Sequence, residues 1–189
     1  MRSIHGLMLC CILFSVGCNN ANTEKTTEKA EKGPLTSKLS QQGTTKMMAL
    51  VARYYALKNA LVSSEAAMTS EQNLQLMNEA KSLVTILTTD TVDRKLLQPY
   101  LDTVVMGTQI IEAIQDPTCE KQRLAFSGIS SAMYAMLKRA DLKNGGVYKQ
   151  YCPMAFNDKG AFWLSEEEEI RNPYFGKKML SCGEVQEKF

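Results

Sequence analysis

The sequence contains almost no histidine. Its single histidine is His5, which lies near the amino terminus in a segment typical of an export signal. A mature chain without histidine has no Ser-His or Cys-His catalysis and no histidine-based zinc or Cu(II) site. An enzyme would have to work with carboxylates, lysine or tyrosine alone, and no arrangement of these residues suggests a general base. We therefore predict that the protein is not an enzyme.

An excess of charge of one sign is also lacking. The 189 residues include 22 Lys and Arg against 20 Asp and Glu, which leaves a formal net charge of +2. No cluster of Lys and Arg is interleaved with aromatic residues, as a nucleic-acid interface requires. The composition therefore predicts no nucleic-acid partner. Apolar residues make up 44% of the chain, which is enough for one domain with a core.

The apolar run at residues 7–16 is too short to span a bilayer as a stable helix. It follows the positive residue Arg2 and ends at Gly17, as in a secretory signal. Residues 15–18 resemble a lipobox, in which the cysteine becomes the lipidated first residue, although Ser15 stands where leucine is usual. We expect a lipoprotein signal peptide at residues 1–17 and a lipid anchor at Cys18, which place the protein in the bacterial cell envelope, periplasm-facing or at the outer membrane. The alternative is an ordinary signal peptide in which Cys18 is incidental.

Large apolar residues are nearly absent from residues 18–43. Asn, Thr, Glu and Lys dominate this stretch, which cannot bury enough surface to offset the entropy of ordering. We predict a disordered polar tether that separates a domain at residues 44–189 from the membrane.

Four amphipathic segments with helical periodicity follow the tether. The second begins near the capping residue Ser70, the third spans residues 94–115, and the fourth opens with Asp116 and Pro117. Their short connections predict an all-α, up-down four-helix bundle with an irregular C-terminal tail from about residue 147. The apolar stripes comprise Met47, Leu50, Val51, Tyr54, Leu57, Leu61, Leu76, Ala80, Leu83, Leu87, Leu97, Leu101, Val104, Thr108, Ile111, Phe126, Ile129, Met133, Met136 and Leu137.

Sulfur-containing residues within the bundle are predicted to pack rather than to bind metal. Methionine is an adaptable core filler, and we expect this role for Met47, Met48, Met68, Met77, Met106, Met133 and Met136. Cys119, near the start of the fourth helix, is likewise expected to be a small packed residue.

The tail loses the helical period and is rich in aromatic residues. Two short apolar runs flank a turn at residues 157–160, which predicts a short hairpin. Ser165 and Glu168 fit a capping box, so residues 166–169 are predicted to form the first turn of a short helix.

Two sulfur pairs stand in this tail, Cys152 with Met154 and Met179 with Cys182. Thiolate and thioether ligands suit Cu(I) or Ag(I), whereas Zn and Mg do not favour methionine. Pro153 stiffens the first pair and lowers the entropy lost on binding. The sequence therefore offers a soft-metal site of three or four sulfur atoms.

The same residues permit a second interpretation. An exported protein meets an oxidising compartment, and a Cys152–Cys182 disulfide would close a loop of about thirty residues, worth roughly 3–4 kcal/mol in the chain-entropy model. Such a bond would staple an irregular tail that has little core. On residue chemistry alone, this interpretation is slightly favoured over the metal site.

Four segments of the tail together resemble the C-terminal signature of a bacterial domain family of unknown function. They are YCPMA at residues 151–155, GAFWLS at 160–165, IRNPYFG at 170–176 and MLSCGEV at 179–185. The resemblance extends to about residues 44–187, including YYALKNAL at 54–61. That family occurs as envelope lipoproteins and fused to periplasmic adaptor subunits of copper/silver-type heavy-metal efflux pumps.

This resemblance implies a role near heavy-metal efflux or tolerance, with a periplasmic efflux adaptor as the expected partner. The family's motif positions correspond to Cys152, Met154, Met179 and Cys182, which raises the metal site above the disulfide. We therefore expect an envelope lipoprotein that binds Cu(I), Ag(I) or a similar soft ion. The alternative is a disulfide-stapled structural domain that docks an envelope partner without metal, and the two states can belong to different redox conditions.

Overall fold

The computed structural model describes residues 33–189. The predicted signal peptide, the lipidation at Cys18 and tether residues 18–32 lie outside the described residues. Within residues 33–189, no helix combines the length and the apolar character needed to cross a membrane.

Four long helices make up most of the described chain, which confirms the predicted helical bundle. Each helix packs against the next one along the chain, and α1 also contacts α4 through stacked Tyr54 and Phe126 rings 5.1 Å apart. The helices are α1 (Gln41–Ser63), α2 (Ala66–Ile86), α3 (Thr91–Ala113) and α4 (Glu120–Arg139).

The core contains the predicted apolar stripes, all of whose members are buried, together with tail residues such as Trp163 and Leu164. Helical periodicity identified the stripes because residues three or four apart share one face of a helix. The prediction for methionine is wrong at two positions, since Met68 and Met106 are 43% and 56% exposed. Cys119 is fully buried, and its Sγ lies 3.6 Å from Thr69 Oγ1.

Helix α1 begins before the predicted domain boundary at residue 44. Ser40 caps it, since its Oγ accepts from the Gly43 N–H at 3.0 Å and donates to the buried Asp93 carboxylate at 2.6 Å. Leu39 is buried, and Thr36 forms a β-bridge with Lys143. The end of the predicted tether therefore belongs to the fold.

Three other helix starts differ from the predictions. Helix α2 begins at Ala66, ahead of Ser70, and α3 begins at Thr91 because Asp90 accepts from two backbone N–H groups. Helix α4 begins at Glu120 rather than Pro117, because Cys119 adopts a left-handed conformation with φ of 61°. Asp116 still accepts backbone hydrogen bonds, but from the turn that precedes the helix.

The tail forms a three-stranded antiparallel sheet, which corrects the prediction of an all-α fold with an irregular tail. Strands β1 (Tyr148–Cys152) and β2 (Ala161–Ser165) form the predicted hairpin. A third strand, β3 (Glu184–Lys188), pairs with the other edge of β1, giving the order β2-β1-β3. Sequence analysis did not predict β3, because its residues are mostly charged and exposed and show no alternation of apolar and polar positions.

The helix predicted at residues 166–169 is absent, and a series of bends takes its place. The buried Gln150 explains this difference. Its Nε2 donates to the carbonyl oxygens of Glu167, Glu168 and Glu169 at 2.9–3.1 Å. In a helix these carbonyls would point along the axis to N–H groups four residues ahead, so their convergence on one amide requires a bent chain.

Replacing Gln150 with leucine is expected to destabilise the fold by about 2–3 kcal/mol, because the three carbonyls lose a shared donor that leucine cannot replace. Denaturant unfolding, followed by circular dichroism, measures this change. Gln186 is exposed on β3, and Gln186→Leu is the matched control. Equal effects of the two substitutions would contradict the role given to Gln150.

Candidate soft-metal centre

The cysteines of the tail meet where β1 ends and β3 begins. Cys152 is the last residue of β1 and is fully buried, while Cys182 lies just before β3. Because Tyr151 pairs with Glu184 across the antiparallel strands, these two chain ends are neighbours. The sulfur atoms of Cys152 and Cys182 lie 2.7 Å apart.

Asn172 holds the Cys182 loop against the sheet. Its Nδ2 donates to the Cys182 carbonyl at 2.7 Å, and its backbone N–H donates to the Leu180 carbonyl at 2.8 Å. Its Oδ1 accepts from the N–H of Tyr174 at 2.8 Å. Asn172 is fully buried, so its side chain bonds to the protein rather than to water and holds the loop in place. Sequence analysis missed this role, although an Asn-Pro pair at 172–173 marks the turn.

Gly183 allows this close approach. A Cβ at this position would lie 2.8 Å from the Tyr151 carbonyl oxygen and 2.9 Å from the Trp163 ring, and its φ of +149° also disfavours other residues. A larger residue would push the Cys182 loop away from Cys152.

The distance between the two sulfurs lies between that of a disulfide and that expected for two thiolates bound to one metal ion. A disulfide has an S–S bond of about 2.05 Å, so oxidation needs only a small approach. Two thiolates around a tetrahedral ion with bonds of about 2.3 Å, as for zinc, would lie about 3.7 Å apart. Metal binding therefore requires the sulfurs to separate by about 1 Å.

The reduced pair retains a proton at neutral pH. The hydrogen bond with Cys152, together with burial and the neighbouring charge of Cys152, raises the pKa of Cys182 to about 11. Since the thiolate is the metal ligand, an ion that binds both sulfurs must displace this proton.

Met154 and Met179 lie at a different place from the thiols. Met154 and Met179 line one pocket of about 460 Å³ together with aromatic and charged side chains, and Met154 is 48% exposed. Within the described residues, neither Cys152 nor Cys182 belongs to the lining of this pocket. The structure thus arranges the four predicted ligands as a thiol pair and a thioether pair on the same two loops.

The donor set fits a soft ion. Thiols and thioethers favour Cu(I) and Ag(I), and two of the four donors are uncharged sulfur atoms that harder metals do not select. In the described part of the chain, no group of three or more His, Cys, Asp or Glu residues is placed to hold a metal ion. The thiols and the thioethers therefore do not line one common pocket, which differs from the single site of three or four sulfur atoms that the sequence offered.

A buried lysine anchors the sheet to the bundle. Lys58 of α1 has a 1% exposed side chain, and its Nζ donates to Ser165 Oγ at 3.2 Å and to Glu166 Oε2 at 2.9 Å. Burial lowers the pKa of Lys58, and the hydrogen bond to Glu166 opposes this effect. Nearby, the Leu164 N–H donates to the Tyr54 hydroxyl at 3.1 Å. These contacts fix β2, and through it β1 and Cys152.

Because of the ion pair between Lys58 and Glu166, we expect the fold to be less stable in acid. Partial burial acts to raise the pKa of Glu166, but the hydrogen bonds it accepts outweigh this and leave the pKa lowered from 4.5. A lowered pKa in the folded state stabilises the fold above pH 4.5, and this contribution is lost as the pH falls further.

We expect Glu166→Gln to be less stable than the parent at pH 7, with a difference that shrinks below pH 4.5. Thermal unfolding across this pH range tests the expectation. Glu169→Gln, at an exposed neighbour, is the control. A Glu166→Gln difference that stays constant with pH would contradict the assignment.

A comparison with protein-family models gave a match to the helical part of the chain. The model described as "Protein of unknown function (DUF3347)" matches residues 50–145, just over half of the chain. The matched range covers most of α1, all of α2–α4 and the loop that follows, so the four tail sulfurs lie outside it. Neither the curated proteins nor the solved structures gave a match.

Proposed function

The chain belongs to this DUF3347 family of unknown function, and we propose that it is an envelope lipoprotein that binds Cu(I) or Ag(I) and acts in heavy-metal efflux or tolerance. The observation that carries this proposal is the meeting of Cys152 and Cys182. Their sulfurs approach to 2.7 Å beside a pocket lined by Met154 and Met179. Two thiols and two thioethers on adjoining loops form a donor set for a soft monovalent ion.

The residues of the tail have separable roles in this proposal. Cys152 sits on a strand held by the bundle and provides a fixed ligand. Cys182 lies on a loop held through Asn172 and moves outward by about 1 Å to admit an ion with bonds of about 2.3 Å. Met154 and Met179 provide neutral, exchangeable donors near the surface.

The proposed envelope location suits a role in transfer. A lipid anchor at Cys18 and the polar tether would hold the domain near a membrane while leaving its tail free to meet a partner. We propose a periplasmic efflux adaptor as that partner. A domain that binds soft ions with few, exchangeable ligands can buffer the ion or pass it on.

Titration of the reduced protein with Cu(I) against a competing chromophoric chelator tests this proposal. The parent protein is expected to withdraw Cu(I) from the chelator, and a variant without both tail thiols is expected to withdraw much less.

A second candidate function follows from the same sulfur separation. The 2.7 Å approach and the full burial of Cys152 also suit a permanent disulfide, which would staple the sheet of a domain that docks an envelope partner without metal. Mass spectrometry of the unreduced protein from metal-replete cells discriminates the two. A quantitative Cys152–Cys182 bond supports the staple, and free thiols support the metal site.

A further inference from the structure

The pocket that contains the thioethers has the features of a site in its own right. We call it the methionine pocket and define it by Met154, Met179, Phe156, Tyr174, Phe175 and Asp158. Its volume of about 460 Å³ exceeds what one ion needs, and it opens to solvent beside the exposed ion pair formed by Lys178 and Glu120.

The two methionines here differ from the core methionines of the bundle. Met47, Met133 and Met136 are fully buried, whereas Met154 is 48% exposed and Met179 is partly exposed. An exposed thioether contributes little to packing, so the filler role that explains the core methionines does not explain this pair. Both residues line a pocket that opens to solvent.

A strained turn forms one wall of the pocket. Phe156, Asn157 and Asp158 have φ angles of 55°, 58° and 62°, which places three consecutive residues other than glycine in the left-handed region. Such residues cost of order 1–3 kcal/mol each and cluster at ligand clamps. All three line the pocket, so the strain is located where a ligand would enter.

Aromatic rings complete the wall. The Phe156 and Tyr174 rings lie 5.1 Å apart in an edge-to-face arrangement. Aromatic faces attract cations within about 6 Å, and the Asp158 carboxylate adds a negative charge at the same wall. Glu120, Arg123 and Lys178 also line the pocket, so its charges balance. The preference for a soft cation therefore comes from the thioethers and the aromatic rings.

We propose that Met154 and Met179 form a separate Cu(I) or Ag(I) site, which binds whether the Cys152–Cys182 pair is reduced or oxidised. Thioethers carry no proton and form no disulfide, so their availability does not change with the redox state of the thiols. The methionine pocket then serves as the exchange position, and the thiol pair as the tighter, redox-dependent position. This inference rests on the proposed function in one respect, that the tail takes soft monovalent ions.

Ag(I) titration of the full chain, labelled with ¹³C-methyl methionine, tests this inference by NMR. The titration is run on the Cys152→Ser, Cys182→Ser variant and on the parent with these cysteines either reduced or oxidised. The Met154 and Met179 methyl signals are expected to shift together and saturate at about one Ag(I) per chain, since one pocket holds both thioethers. Met68 and Met106, which are also exposed, are the internal controls and are expected to stay unchanged.

Leucine substitutions test the same inference through the Ag(I) affinity. Met154→Leu and Met179→Leu keep the apolar volume and are each expected to weaken Ag(I) binding at least about tenfold, whereas Met106→Leu leaves it unchanged. Equal shifts at all exposed methionines would overturn the inference, since they indicate nonspecific thioether binding. Binding that appears only with reduced thiols would also overturn it, while leaving the proposed function intact. Binding in neither form would overturn both.

Discussion

Replacing Cys152 and Cys182 together with serine is expected to weaken Cu(I) binding by more than a hundredfold. Loss of a residue that only orients a metal ligand typically costs about 10–100-fold in affinity, and this variant removes two direct ligands. Serine keeps the size of the side chain but offers a hard oxygen that Cu(I) does not favour. Competition with a chromophoric Cu(I) chelator under reducing conditions measures the affinity.

Cys119→Ser is the matched control for that experiment. Cys119 is a fully buried thiol whose only described partner is Thr69, so its replacement is expected to leave the Cu(I) affinity unchanged. Denaturant unfolding of both variants shows whether a loss of affinity comes from the missing ligands or from misfolding. A folded double variant with parental affinity would rule out the thiol pair as the site.

Replacing Arg123 with methionine is expected to cost about 3–4 kcal/mol of unfolding free energy, the largest effect we predict for a single side chain. The guanidinium is buried and donates to the carbonyls of Pro173, Thr118 and Leu61 at 2.8–3.0 Å. It also donates to Ser64 Oγ at 2.8 Å. One side chain thus joins the start of α4 to the end of α1 and to the tail.

Methionine matches much of the apolar volume of arginine but provides no donor for the Pro173 and Thr118 carbonyls, whereas the Leu61 carbonyl keeps the Ser64 N–H as a donor at 3.2 Å. Since buried unpaired acceptors are costly, unfolding at lower denaturant concentration is the expected result. Arg139→Met, on the exposed end of the same helix, is the control and is expected to change stability by less than about 0.5 kcal/mol. If both variants unfold alike, the buried network does not stabilise the fold as inferred.

Arg123 also shows why part of the fold escaped the sequence analysis. Its partner at Pro173 lies 50 residues away along the chain. Arg123 stands three residues before the stripe residue Phe126, which places it on the buried face of α4, but this spacing does not identify a partner. Lys58 is a similar case, since Ser165 lies 107 residues away. The helical period of apolar residues can be read locally, but it does not show which distant segment a polar side chain joins.

The tail illustrates the same limit for secondary structure. The hairpin of β1 and β2 was predicted because apolar runs flank a turn with Gly160. Strand β3 was not predicted, because an exposed edge strand such as residues 184–188 needs only a backbone partner and shows no alternation. The prediction of a helix at residues 166–169 was wrong for a related reason. The side chain of Gln150 on β1 donates hydrogen bonds to the carbonyls of residues 167–169, and sequence analysis could not foresee this distant contact.

The sequence by itself determined the four helices and their buried faces, because a helical stripe is a local property that residues three and four apart express without knowledge of the rest of the chain. It also identified four tail sulfurs as the candidate ligands. Only the tertiary structure decided how these sulfurs group. Strand pairing between β1 and β3 brings together two thiols 30 residues apart, and the loops after β1 and before β3 place Met154 and Met179 at one pocket. Pairing register and turn conformation depend on contacts between distant segments, and so they cannot be read from a local pattern of residue types.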